Sequence, residues 1–143
     1  MTRDALLKKL QSQISERERE QLGAGELLVG AFNRSVLLEI LAVQSAPEGN
    51  APDSDVQGLI DALDAFLARE MATQPEGWKW IQLSCLYLSF VARKPLHPPQ
   101  LLGIRQRVGQ DGETVWLCPQ RSDAPDATCR YCVCTNERFN MER

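Results

Sequence analysis

Three prolines within five residues divide this chain. They stand in Lys94-Pro95-Leu96-His97-Pro98-Pro99. Proline fixes φ and lacks a backbone N–H, so a helix arriving from the N-terminal side is predicted to end here. Before the prolines, apolar residues recur at helical spacing. After them come four of the five cysteines, and the only histidine lies among them. The predicted fold is mainly α, a helical bundle of about four helices over residues 1–93. A small C-terminal unit with a β-hairpin and a Cys/His metal-binding, zinc-ribbon-like character follows over 94–136. Both belong to a single domain, residues 1–143, a length that buries a core without help from disulfides.

The helical stretches follow from periodicity. The first covers about residues 2–22, with Leu6, Leu7, Leu10 and Ile14 on one face. Ser15 and Glu18 fit a capping box, which predicts a break and restart at Ser15. A second stretch from Glu26 to Gln44 is expected to bury Leu27, Leu28, Ala31, Phe32, Val36, Ile40 and Leu41. The third begins near Asp53 and carries Val56, Leu59, Ile60, Leu63, Phe66, Leu67 and Met71 as one stripe. The fourth runs from about Glu76 to Arg93, with Cys85 expected as a small core residue. Beyond the prolines, Ile104–Val108 and Thr114–Cys118 flank Gly109-Gln110-Asp111-Gly112-Glu113. That pattern predicts a hairpin with a five-residue loop. The tail from Glu137 is expected to fray.

Composition removes several classes of function. Apolar residues make up 43% and charged residues 24%, an ordinary globular balance. No apolar run reaches the roughly 20 residues that cross a bilayer. The N-terminus lacks the apolar segment of a signal peptide, so a cytoplasmic protein with no membrane partner is expected. The net charge of −3 is concentrated as an acidic excess in residues 23–92, leaving only a slight basic surplus in the last third. Nucleic acid is therefore not the expected partner.

In a reducing compartment, clustered cysteines at short spacing read as metal ligands or reactive thiols. Cys129-x-x-Cys132 is the strongest element, because a tight turn aims both sulfurs at one ion. Cys118 sits at a predicted strand end before Pro119. His97 lies between prolines that fix its backbone. The expected set is His97, Cys118, Cys129 and Cys132, a tetrahedral Cys3His zinc site. Cys134 is the alternate fourth ligand. In an extended segment, Cys132 and Cys134 point to opposite faces, so both would reach one metal only through a further turn.

Pro95-Leu96-His97-Pro98, Leu117-Cys118-Pro119 and Cys129-Arg130-Tyr131-Cys132-Val133 together resemble domain-of-unknown-function family 2115, uncharacterised proteins mainly of methanogenic archaea. The resemblance covers about residues 87–134 by motif. It implies His97, Cys118, Cys129 and Cys132 as shared residues and brings no known reaction. The family tends to a Phe-Pro-Gly-Gly stretch after its His-Pro, where this chain has Pro99-Gln100-Leu101-Leu102-Gly103.

The functional expectation is a structural zinc site that stabilises a helical interaction module, with an unidentified protein as its partner. Four protein ligands leave no open position for substrate, which argues against an enzyme. There is no His-Glu-x-x-His, and the His-x-Glu of zinc deaminases is absent, since Pro98 and Pro99 follow His97. The alternative cofactor is an iron–sulfur cluster on Cys118, Cys129, Cys132 and Cys134, with a redox or cluster-handling role.

Overall fold

The apolar stripes pack as the periodicity predicts, around one main core formed by the N-terminal helices. The computed structural model describes residues 1–122, 124 and 127–136. Helix α1 (Arg3–Ser12) starts at Thr2, whose hydroxyl accepts the Ala5 N–H, and buries Leu6, Leu7 and Leu10. The break at Ser15 is present. Helix α2 (Glu16–Gly23) opens with the reciprocal capping box, Ser15 Oγ accepting from Glu18 N–H at 3.1 Å and the Glu18 carboxylate from Ser15 N–H at 2.9 Å.

The second predicted helix is shorter than expected. Helix α3 runs Ala31–Ala42, not Glu26–Gln44. Gly25 turns left-handed at φ 73°, and Glu26–Gly30 follow a non-helical path. Leu28, off the helix, is 88% exposed and Ala31 is exposed too, whereas Leu37 is fully buried. Helix α4 (Asp53–Glu70) begins where expected and buries Leu59, Ala62, Leu63 and Leu67, while Phe66 stays on its rim.

A single 3-10 turn, Pro75–Gly77, leads into α5 (Trp78–Leu86). The helix then widens into a π-helix, Tyr87–Ala92. Both Arg93 N–H and Lys94 N–H reach the Leu88 carbonyl, and Arg93 adopts φ 55°, in the left-handed region that non-glycine residues seldom enter. The prolines end this helix, but they do not end helical structure. Pro99 occupies the first position of a one-turn helix, α6 (Pro99–Leu102), where its missing N–H costs nothing. Gly103 closes that turn at φ 67°.

The hairpin forms as predicted. Strands β1 (Arg105–Val108) and β2 (Thr114–Cys118) pair antiparallel, with Arg105 opposite Leu117 and Val108 opposite Thr114. A two-residue strand β3 (Thr135–Asn136) adds parallel to β2, Leu117 beside Thr135, giving the order β1-β2-β3. Two residues carry no periodicity, so this strand was not foreseeable. The predicted fraying from Glu137 lies outside the described residues. No helix among the described residues is long and apolar enough to cross a membrane.

Two cores result. The main one joins Leu6, Leu7, Leu10, Leu22, Leu37, Ile40, Leu59, Leu63 and Trp80 to the buried face of Tyr87–Val91 and to Leu96. The second, under the sheet, consists of Ile104, Cys118 and Cys134, with Leu102, Trp116 and Cys132 against it.

Candidate functional site

Cys132 lies at the seam between these cores, with Cys118 and Cys134 in the smaller one. Cys118 ends β2 and is buried, since Leu117 and Cys118 close the inner end of the strand. Cys129 lies in a 3-10 turn, Thr128–Tyr131, and its carbonyl accepts the Cys132 N–H at 3.1 Å, which is the tight turn that the Cys-x-x-Cys spacing demands. Its own thiol is half-buried. Cys132 packs against both cores, and Cys134 is almost wholly buried in the smaller one.

Cys132 and Cys134 do not point apart. The chain bends at Cys132–Val133, the further turn that both need to face one point, and the two sulfurs come within hydrogen-bond reach. The Cys134 thiol donates to the Cys132 sulfur. That bond is the main reason the Cys132 pKa is drawn below the usual thiol value; burial opposes the shift. Backbone N–H groups of Cys134 and Leu96 also donate to the same sulfur, and the His97 imidazole acts on it electrostatically. Cys134 is driven the other way, first because its proton is held in that bond, then by burial and by the charges of Cys132 and Cys118. The Arg121 guanidinium, which donates to the Cys134 carbonyl, offsets part of this. Of the two thiols, Cys132 is therefore the more readily ionised.

His97 is exposed, at the end of the Pro95–His97 segment whose Leu96 is buried in the main core. Cys85, expected as a core residue, packs half-buried against the main core. Its pKa is pushed up to about 12 by burial and by the charge on Cys132, so α5 also faces the thiols. Among the described residues, no three His, Cys, Asp or Glu side chains stand in an arrangement that would hold a metal ion.

The expected ligands are thus only partly gathered. Cys118, Cys132 and Cys134 share one small core, with His97 at its edge. Sequence reasoning made Cys134 the alternate because it assumed extended geometry. The overlooked signal was the Cys132-Val133-Cys134 spacing directly after a turn. The Leu96 N–H was also missed, since no side chain advertises a backbone donor.

A family model described as an uncharacterized protein conserved in archaea (DUF2115) matches residues 3–137. The chain belongs to this family. The match extends well beyond the cysteine motifs and takes in the whole helical body. No curated protein and no solved structure matches the chain. The family's description carries no reaction, so the chemistry of this member rests on its own residues.

Proposed function

We propose that this protein is a non-enzymatic interaction module whose C-terminal unit is organised by a structural metal ion, zinc first. The observation that carries the reading is the make-up of the smaller core. Of its three buried members among the described residues, Cys118 and Cys134 are thiols, and Cys132 packs against the cluster. An apolar core this small holds a sheet poorly, and metal–thiolate bonds supply cohesion where apolar area is short.

The donor chemistry fits zinc, which takes thiolate and imidazole. The Cys132 sulfur already receives backbone N–H groups of the kind that orient a metal-bound thiolate. The proximity of Cys134 to Cys118 and Cys132 supports Cys134 as a ligand beside His97, with Cys129 as its competitor. Binding would require His97 to turn inward and the thiols to lose their protons.

Elemental analysis and a visible spectrum of anaerobically prepared protein test this. The expected result is one zinc per chain and no colour. The zinc is expected to be lost in Cys134→Ala and His97→Ala but retained in Cys129→Ala. Brown protein with broad visible absorption would assign the thiols to an iron–sulfur cluster. Protein without metal that keeps its full C-terminal order would refute the proposal. Residence in the cytoplasm agrees with free thiols at this density.

A further inference from the structure

Glycine in the middle of a long helix is a poor helix former, and α4 carries one at Gly58. The reason lies across the molecule. Tyr131, between Cys129 and Cys132, sets its ring end directly on Gly58. A Cβ added there would lie 2.1 Å from the Tyr131 hydroxyl oxygen and 2.8 Å from Cζ. Real Cβ atoms essentially never show either distance, so any other residue at position 58 must displace the ring from its seat. The ring also faces Phe90 in the π-helix, at 6.4 Å between centroids and tilted by 55°. Tyr131 and Cys132 both pack against the main core.

We propose that Tyr131 is a latch, seated in the notch that Gly58 leaves in α4, through which the state of the cysteine segment is coupled to the helical body. The geometry leaves little slack between lock and thiols. Tyr131 is the residue before Cys132, and the turn that seats it is the one closed by the Cys132 N–H on the Cys129 carbonyl. A reagent or ion that rearranges Cys132 must pull on this ring. Withdrawal of the ring would uncover Gly58 and the edge of Phe90 as an apolar surface. The latch goes beyond the metal reading and does not depend on which species engages the thiols.

Hydrogen exchange read by mass spectrometry on the full chain tests it. Gly58→Ala should speed exchange of residues 127–136 by about tenfold or more, as a locally released unit does. Exchange in α4 itself should stay as slow or become slower, because alanine is the better helix former. This pair of opposite responses is the signature of the latch. Unchanged exchange in 127–136, or equal acceleration in every helix, would overturn it.

A second variant guards against simple misfolding. In a Tyr131→Phe background, which lacks the atom nearest the notch, Gly58→Ala should add a smaller acceleration than in the native chain. An undiminished effect would also overturn the proposal. N-ethylmaleimide should alkylate Cys129 and Cys132 faster in Gly58→Ala while Cys85 keeps its native rate; equal rates at Cys129 and Cys132 in the two proteins count against the latch. Zinc content is measured separately, so its absence from the native protein refutes the metal reading and leaves the latch to be decided by exchange.

Discussion

The two cores of this protein are built from different materials. The helical body closes on leucine, isoleucine and tryptophan contributed by α1 through α5, with Leu7, Leu37, Ile40 and Leu59 fully out of water. Among the described residues, the unit under the sheet closes on one isoleucine and two cysteines. Apolar burial scales with the area removed from water, so among the described residues the first core has far more of it to draw on than the second. The difference teaches that apolar packing and the clustered thiols are separately placed. The body supplies the free energy, and the C-terminal unit spends part of its scant interior on groups with chemistry.

The contrast can be broken most forcefully from the body. Leu37→Ala removes a fully buried side chain and should cost about 2–5 kcal/mol, seen as a lower midpoint in chemical denaturation. If the comparison holds, near-ultraviolet signals from the body and exchange in 127–136 are lost together, because the unit cannot stand alone. Persistence of order in the unit would break it.

Cys134→Ala should act unequally. Its local cost is about 1–3 kcal/mol for the lost buried group and any ligand bond. The effect is expected in the exchange of β2 and β3, with little in α1–α4. A shift of the whole denaturation curve as large as that of Leu37→Ala would show that the two cores are one.

A smaller and opposite effect is expected from Ser84 and Ser89. Both are fully buried, with hydroxyls that lack a hydrogen-bond partner among the described residues. Ser84→Ala should be neutral or stabilising by about 1 kcal/mol, since it deletes an unsatisfied polar group and adds helix propensity. A clear loss of stability would show that the Ser84 hydroxyl has a partner, such as a buried water.

The smallest effect concerns pH. Burial works to raise the Glu39 pKa, but hydrogen bonds from the Tyr87 hydroxyl and Lys94, with the Lys94 charge, outweigh it and hold the carboxyl below the usual range. A lowered folded pKa means a contribution present at neutral pH and lost as acid passes through the folded value. Glu39→Gln should therefore flatten the acid limb of the stability curve slightly and leave its alkaline side alone. The effect is small because both side chains are partly exposed, and an unchanged acid limb would discount the pair.

The sequence was most readable where many residues repeat one message. The stripes of α1, α4 and α5, the break at Ser15 and the five-residue hairpin loop are all present as expected. It misled where a single backbone angle outweighed a pattern. Leu27 and Leu28 continue the α3 period, yet Gly30, extended at ψ 157°, starts the helix only after them. The site was legible as a list of donors and illegible as a geometry. The choice between Cys134 and its rivals turned on a bend that the spacing alone does not specify, and Tyr131 gave no hint that its partner was a glycine over 70 positions earlier.

The π-helix at Tyr87–Ala92 has a consequence for everything downstream. One residue more per turn rotates the following chain about the helix axis by roughly 100°, the angle one residue subtends. Deleting a residue there would restore the ordinary ladder and swing the Leu96 amide and His97 away from Cys132. The widened turn is thus an azimuthal setting, the aim of the chain as it leaves the bundle for the cysteines.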